Sequence, residues 1–313
     1  MLNSLSLAGL SLRDLEYVEA VARLKHFGRA AECCNVSQPA LSGQVRKLEA
    51  HLRVTIFERG NRHVALTPQG AALLIHIERI LDEARNLLSF SRQGREISGT
   101  LHLGSIETLG PYYLPGMLQL LRRELPAISL RLTETRTSML VERLRHGALD
   151  LVLAAGLVEA AGLVQMPLFF EPFVLALPRG HTLGSLPRIK LDSLPLNDLL
   201  LLEEGHCLRS QALALCGGAP MATRHATSLE TLWHMIVAGE GYSLLPALAL
   251  KSRPDLAGLV TCRKLGDKNA GRTISLVWRA SDPREAQFRA LAGLLVSHAP
   301  TETQVPQGKI VLG

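Results

Sequence analysis

Two cysteines in the second half of the chain have spacing and neighbours that suggest thiol chemistry. Cys207 follows His206 and lies two positions before Arg209, whereas Cys216 ends the apolar run 212–215. Only the thiolate is nucleophilic, and nearby cations favour it, so Cys207 is the expected attacking thiol and Cys216 its sheltered partner. Two unrelated cysteines in a helix could have the same spacing. The spacing alone therefore does not distinguish a reactive pair from two unrelated residues.

The separation of this pair restricts when a bond between them can form. Residues 209–215 are mostly good helix formers, and Cys207 and Cys216 are nine positions apart. In a helix this spacing is roughly 13 Å along the axis and puts the two residues on opposite faces. A disulfide needs Cα atoms about 4.4–6.8 Å apart. A bond would therefore require the helix to be dismantled, and a covalent event would become a conformational switch.

The five cysteines of the 313-residue chain are odd in number, and none forms a CxxC pair or a metal-ligand pattern. This favours a reducing compartment and predicts neither a disulfide framework nor a bound metal or other cofactor. No uncharged stretch reaches the roughly 18 residues of a membrane span, and the N-terminus lacks the basic start of a signal peptide. We therefore expect a cytoplasmic protein. Cys33 and Cys34 are interpreted as buried packing residues and Cys262 as inert.

The elements around these residues alternate between strand and helix from residue 99 onward. Strands are predicted at 101–106, 128–134 and 149–155, and helices at 111–124 and 138–146. This βαβαβ order predicts a parallel sheet with helices on both faces, which binds ligands beyond the carboxyl ends of its strands. The loops that carry Thr108 and Thr137 lie at such ends.

The first half is predicted to be almost entirely helical, with helices at 12–24, from Gly28, and from a Ser37 cap that is followed by Pro39. In the third helix one face is apolar and the opposite face is polar. The polar face carries Gln38, Ser42 and Arg46. Gln pairs well with adenine and Arg with guanine, so this face suits the major groove of DNA. A three-helix packing module with a solvated face would have the same periodicity.

A hairpin predicted at 58–67 would form a wing that sets Arg59 and Arg62 against phosphates. Residues 25–67 hold seven Lys or Arg and three Asp or Glu, and the whole chain has a net charge of +6, which is compatible with a polyanionic partner. A helix starting at Thr67-Pro68 follows, with an apolar stripe at Leu73, Ile77, Ile80, Ala84 and Leu87. This helix either packs on its own domain or forms a dimer.

The run FGRAAECCNVSQPALSGQVRKLEAHLRVTIFERG closely resembles the winged helix-turn-helix of LysR-type transcriptional regulators. The resemblance implies a homodimer or homotetramer that binds a double-stranded DNA operator and acts on RNA polymerase, with the linker helix at the dimer contact. The DNA-binding residues it implies are Ser37, Gln38, Pro39, Ser42, Arg46, Arg59 and Arg62.

Residues 204–209, 226–232 and 244–249 are similar to the hydrogen-peroxide-sensing members of that family, and the similarity extends from about residue 12 to 298. It implies that peroxide oxidises Cys207 to a sulfenic acid and that Cys216 then condenses with it. A thiol reductant of the glutaredoxin or thioredoxin type would reset the disulfide. The resemblance further implies that His206 neighbours the reactive thiol, that Thr108 and Thr137 hydrogen-bond the peroxide, and that Arg272 favours the thiolate. His225 receives no role.

The expected protein has an α/β fold with a winged helix-turn-helix at 1–68, a linker helix at 69–97 and a periplasmic-binding-protein-like regulatory domain at 98–300. That domain would comprise subdomain I (98–170 and 277–300) and subdomain II (171–276), followed by a loose tail at 301–313. The expected function is a regulator, not an enzyme, that senses hydrogen peroxide and controls antioxidant genes. The alternative is a LysR-type regulator of a metabolite, with incidental cysteines. A thiol peroxidase or a transport-type binding protein would have no use for the first 90 residues.

Overall fold

The computed structural model describes residues 9–58, 64–90, 97–158, 160–187, 189–191, 194–217, 224–251 and 258–305. The chain divides into two compact units, Met1–Gly94 and Arg95–Gly313. Among the described residues, none of the helices has both the length and the apolar character that crossing a bilayer requires. The predicted wing residues Arg59 and Arg62 lie outside the described ranges.

The first unit consists of helices with a short strand pairing at its wing. The helices are α1 (Leu12–Leu24), α2 (Phe27–Cys33), α3 (Gln38–Leu52) and α4 (Pro68–Phe90). The hydroxyl of Ser37 accepts a hydrogen bond from the Ala40 N–H and caps α3. Asn35, with φ of 54°, makes the turn between α2 and α3. The predicted wing is present at its base, where Phe57 and Leu66 form an antiparallel bridge.

The core of this unit follows the predicted helix periodicity. Leu41, Val45 and Leu48 of α3 are buried, and the small residues Ala30 and Ala31 of α2 let the neighbouring helices approach closely. The expectation that Cys33 and Cys34 are both buried is wrong. Cys33 is exposed and Cys34 half-buried, because α2 ends at Cys33 and the chain turns away from the core there.

Helix α4 has two apolar faces. Ile77 and Leu81 are buried in the core of the first unit. Ile80 and Leu87 are 44% and 72% exposed, and with half-buried Leu73 they repeat every seven residues. The predicted stripe is therefore split: Leu73, Ile77 and Leu81 pack on the core of their own unit, whereas Ile80 and Leu87 are exposed among the described residues.

The second unit alternates strands and helices, as the sequence predicts. Its strands are β1 (Gly99–Ser105), β2 (Ile128–Glu134), β3 (Leu151–Ala155), β4 (Leu163–Pro178), β5 (Leu201–Leu202), β6 (His225–Ala226), β7 (Ser243–Pro246), β8 (Val260–Lys264) and β9 (Gly271–Arg279). Its helices are α5 (Gly110–Glu124), α6 (Thr137–Arg145), α7 (Cys207–Cys216), α8 (Leu229–Val237), α9 (Ala247–Lys251) and α10 (Glu285–Ser297).

The main sheet of the second unit has the order β2-β1-β3-β9-β4-β7, with β8 also paired to β4. β1 runs parallel to β2 and β3, as predicted, but β9 and β4 are antiparallel to their neighbours, so the sheet is mixed. The long strand β4 pairs with β9 through its first part and with β7 and β8 through its last part. It thereby joins two separate hydrophobic cores.

The chain returns from the second core to the first core at a different position from the one predicted. β9 pairs with β3 and with the first part of β4, and its residues Ile274 and Leu276 are buried in the first core. The chain therefore re-enters the first subdomain near residue 270 rather than after 276, because the apolar strand 271–279 is continuous. The predicted loose tail also starts too early, since the backbone of Gln304 pairs with that of Phe170 through two hydrogen bonds of 2.7 and 2.9 Å.

Candidate functional site

Helix α7 carries Cys207 in its first turn and Cys216 as its last residue. Cys207 is half-buried and packs against the first core, whereas Cys216 is buried in the second core together with Leu208 and Ala212. Both cysteines are free thiols. The two sulfurs are thus on opposite faces of one helix, each against a different core, which is the arrangement that the spacing predicts.

The environment of Cys216 keeps it protonated. Burial raises the pKa of the Cys216 thiol above its usual value of 9.0. Cys207, by contrast, lies at the positive end of the α7 dipole, where the first free N–H groups of the helix favour an anion. The pair therefore comprises one accessible sulfur and one sheltered thiol.

A small pocket lies beside the Cys207 side chain, and we call it the Cys207 pocket. The loops after β1 and β2 form one wall, because parallel strands end at the same edge of a sheet, and the start of α7 forms the other. Its lining residues are Ile106, Glu107, Thr108, Thr135, Arg136, Thr137, Gly205, His206 and Cys207. Its volume is about 10 Å³, the space that one water molecule needs.

Two threonine hydroxyls line this pocket, as the sequence predicts. The Thr137 Oγ1 atom is buried and has no hydrogen-bond partner among the described residues. Thr108 is 3% exposed, and its Oγ1 accepts a hydrogen bond of 2.7 Å from Arg272 Nη1. Since a guanidinium only donates, the Thr108 hydroxyl proton stays available for another acceptor. The pocket therefore offers hydroxyl donors to a small oxygen-containing ligand.

Arg272 reaches the pocket through Thr108. Its Nη2 donates to the Thr108 carbonyl oxygen at 2.9 Å, and its Nε donates to Glu171 Oε2 at 2.8 Å. Arg272 and Glu171 are opposite each other on β9 and β4, and both side chains are fully buried. Glu171 is held in turn by the N–H of Leu248. Arg272 therefore orients Thr108. Its positive charge was expected to favour the Cys207 thiolate, but the carboxylate of Glu171 balances that charge.

His206 lies directly before α7 and is 7% exposed. Its Nδ1 is 3.4 Å from Glu107 Oε2. Burial lowers the pKa of His206 below its ordinary value, and this outweighs the opposite effect of the Glu107 carboxylate. At neutral pH the ring is therefore mainly neutral and can exchange a proton, but it does not supply the positive charge expected beside Cys207.

Arg209 is the second cation that the sequence placed beside Cys207, and its hydrogen bonds lie elsewhere. Its Nη1 donates to the Leu202 carbonyl oxygen at 3.0 Å and is 3.1 Å from His225 Nδ1. Both partners belong to the small β5–β6 sheet. The guanidinium thus ties α7 to this sheet, and His225, which received no role in the sequence analysis, is one of its contacts.

Gly205 lets the chain turn into α7 tightly. Its φ of 93° is a conformation that L side chains rarely adopt, and a Cβ there would meet Arg136 Cδ at 3.0 Å. Arg136 covers this side of the pocket and forms a 3.4 Å ion pair with Glu203. In the described part of the chain, no group of three or more His, Cys, Asp or Glu residues could hold a metal ion.

Sequence reasoning missed Glu171, although the sequence contained a signal for it. This carboxylate interrupts the otherwise apolar stretch 168–177, and a charge inside a buried strand requires a charged partner. The partner could not be identified, because Arg272 is distant in sequence and becomes adjacent only through the β4–β9 pairing.

The candidate DNA-binding face lies in the first unit, where it is separate from the thiol site. Gln38, Pro39 and Arg46 of α3 are exposed together with the capping residue Ser37, and Ser42 is half-buried. This polar face is opposite the buried residues of α3, as the helix periodicity predicts.

Two family descriptions together match nearly the whole chain. Residues 12–71 match the bacterial regulatory helix-turn-helix protein, lysR family, and residues 94–300 match the LysR substrate binding domain. A hydrogen peroxide-inducible genes activator of Pectobacterium carotovorum subsp. carotovorum is 41% identical over 295 residues, which cover 92% of this chain and 97% of that protein. The DNA-binding transcriptional dual regulator OxyR of Escherichia coli is 41% identical over 289 residues, covering 90% and 94%.

Two solved structures are also similar to this chain over nearly its whole length. An H2O2-bound cysteine-to-serine variant of OxyR from Corynebacterium glutamicum has a TM-score of 0.68 and 34% identity, with 92% of each chain covered. A full-length cysteine-to-aspartate variant of OxyR from Pseudomonas aeruginosa has a TM-score of 0.61 and 36% identity, covering 91% of this chain and 99% of that one. The similarity therefore includes both the DNA-binding and the regulatory parts.

Proposed function

The chain belongs to the LysR family of bacterial regulatory proteins, in which it groups with the hydrogen peroxide-inducible genes activators, and on this premise we propose that it is a transcription regulator switched by peroxide at Cys207. The observation that carries the proposal is the Cys207 pocket, in which two hydroxyls face an accessible sulfur. Its volume, about 10 Å³, restricts it to the smallest ligands. A metabolite needs a cavity of several hundred Å³, so the metabolite-responsive alternative fits this pocket poorly.

The first chemical step is attack of the Cys207 thiolate on the nearer oxygen of hydrogen peroxide. The S–O bond forms as the O–O bond breaks, and the distal oxygen leaves as hydroxide, which takes a proton to become water. Thr108 donates its hydroxyl proton toward the peroxide, Arg272 holds that hydroxyl in place, and Thr137 supplies the second contact. The product is the Cys207 sulfenic acid.

The second step joins the two cysteines. The Cys216 sulfur attacks the sulfur of the sulfenic acid, the S–O bond breaks, and one water is released. Because the helical positions of Cys207 and Cys216 are nine residues apart, α7 has to unwind before this bond forms. Cys216 then leaves the second core, so the disulfide form has a rearranged subdomain. We propose that this rearrangement is the signal.

The partners follow from the same scheme. The exposed face of α3 binds a double-stranded DNA operator, and the exposed residues Ile80 and Leu87 of α4 pair two copies into a homodimer, from which a homotetramer is built. Reset requires an external thiol of the glutaredoxin or thioredoxin type in the cytoplasm. Each oxidation consumes the reduced form, so the protein signals stoichiometrically rather than as an enzyme. Control of antioxidant genes through RNA polymerase completes the proposal.

Titration of thiols tests the chemistry directly. Reduced protein has five cysteines, and equimolar peroxide is expected to leave three of them free. Cys207→Ser should abolish the loss, Cys216→Ser should leave a sulfenic acid that a dimedone probe traps, and the matched control Cys262→Ser should still lose two thiols. Five titrating thiols after peroxide, or a loss that persists in Cys207→Ser, would reject the proposal. Footprinting of reduced and oxidised protein on DNA then tests the switch.

A further inference from the structure

A second cysteine environment in the first unit is independent of the Cys207 pocket. A cleft of about 340 Å³ lies among α1, the end of α2 and α4. Its lining includes both Cys33 and Cys34, three arginines (Arg13, Arg23 and Arg85) and two glutamates (Glu16 and Glu19). We call it the Cys33 cleft. It is large enough for a peptide-sized disulfide.

The two adjacent thiols in this cleft differ in reactivity. Cys33 is exposed, and Arg23 Nη2 donates a hydrogen bond of 3.6 Å to its Sγ atom. Arg23 is thus a charged donor in direct contact with the exposed sulfur. Cys34 is half-buried, and burial together with the neighbouring Cys33 raises the pKa of its thiol. Cys33 is therefore the nucleophile of the pair.

The cleft has a small excess of positive charge, with three guanidiniums against two carboxylates in its lining. Arg85 is paired with Glu19 at 2.7 Å and with Asp82 at 2.9 Å. Arg13 Nε donates to the Tyr17 hydroxyl, and neither Arg13 nor Arg23 forms an ion pair with a described residue. A ligand that brings carboxylates would therefore find the Arg23 guanidinium at the Cys33 sulfur and the Arg13 guanidinium in the same cleft.

The cleft stays open in the proposed dimer. The uncovered stripe of α4 includes Leu87, and Arg85 is two residues away, which at about 100° per residue is roughly 160° around the helix. Arg85 and the Cys33 cleft thus lie on the side of α4 that faces away from this stripe. A solution thiol can reach Cys33 while two copies are paired.

From this geometry we propose that Cys33 is a second modification site, at which a small anionic disulfide transfers one half to the protein. The Cys33 thiolate attacks one sulfur of the disulfide, its S–S bond breaks, and the other half leaves as a thiolate that takes a proton from water. Arg23 and Arg13 hold the carboxylates of the incoming half. A cysteine-containing tripeptide disulfide has this chemistry, and the product is a mixed disulfide that places negative charge between α1 and α4.

The test uses the full-length Cys207→Ser/Cys216→Ser protein, so that its outcome is independent of the peroxide switch. It is treated separately with glutathione disulfide, neutral hydroxyethyl disulfide and cationic cystamine, and adducts are followed by intact mass and peptide mapping. We expect one adduct on Cys33. Its rate should fall from the anionic to the neutral to the cationic disulfide, after division by the rate of each disulfide with free cysteine.

Matched variants make the result specific. Arg23→Gln should slow the glutathione disulfide reaction about fivefold, the ratio that one exposed charge contact supplies, and Arg23→Lys should restore most of it. Cys34→Ser should still form the adduct, whereas Cys33→Ser should not. The exposed Cys262 serves as the internal control and should not share the charge preference. Labelling that prefers Cys34 or Cys262, equal normalised rates for the three disulfides, or no effect of Arg23→Gln would overturn the proposal.

Discussion

The helical stability of α7 should set the redox equilibrium of the Cys207–Cys216 pair, because α7 is intact in the dithiol form and has to unwind in the disulfide form. Ser210 is an exposed position within α7. Ala and Gly at such a position differ by about 1 kcal/mol in helix propensity. This free energy acts on the dithiol form alone, so it should appear in full in the redox equilibrium.

The expected shift in reduction potential follows from this free energy, because about 30 mV corresponds to about 1.4 kcal/mol for a two-electron couple. Ser210→Gly and Ser210→Ala should therefore differ by about 20 mV in reduction potential, with the Gly variant more negative because its dithiol form is less stable. The assay is equilibration in dithiothreitol redox buffers, followed by alkylation and mass measurement of the two states.

Ala290 offers a matched control, since it is exposed within α10 and Ala290→Gly has the same intrinsic helix cost. This variant should lower the thermal midpoint without changing the potential of the cysteine pair. Equal potentials in the two Ser210 variants, or the reverse order, would refute the claim that the disulfide requires α7 to unwind.

Three further outcomes follow from buried charges in the second unit. Burial would raise the pKa of Asp150, but the hydrogen bond from the His102 ring and the Arg284 guanidinium hold this pKa at about 2. Asp150→Asn should therefore lower the free energy of unfolding in urea by about 2 kcal/mol at neutral pH. The difference between the two proteins should shrink as the pH falls from about 4 to 2. Glu171→Gln leaves Arg272 buried without its counter-ion and should cost about 3–5 kcal/mol, whereas adding Arg272→Met should recover stability but not the peroxide rate. Burial lowers the pKa of His206 in the folded protein, so the unfolded chain takes up this proton first as the pH falls through about 6.5. Over that range the wild type should lose more stability than His206→Gln.

Local chemistry in the sequence was sufficient for the helices of the first unit and for the thiol pair. The bounds of α1 and the inward face of α3 follow from apolar spacing and from capping residues such as Ser11 and Ser37, which act within a few residues of themselves. Helical geometry likewise predicts that Cys207 and Cys216 lie on opposite faces of α7.

Long-range pairing decided the parts that sequence reasoning missed or misplaced. The position of β9 in the first sheet, and with it the return near residue 270, depends on strands that are more than 100 residues apart in the chain. The same pairing places Arg272 against Glu171 and directs its guanidinium to Thr108. The exposure of Cys33 likewise depends on where α2 leaves the core rather than on residue type.

The sequence by itself determined which residues can react and how far apart a helix holds them, because these properties depend on residue type and local periodicity. Only the tertiary structure decided the environment of each group: the neutral, buried ring of His206, the charge balance of Arg272 and the small volume beside Cys207. Burial and charge compensation arise from contacts between segments distant in sequence, and no local pattern encodes them.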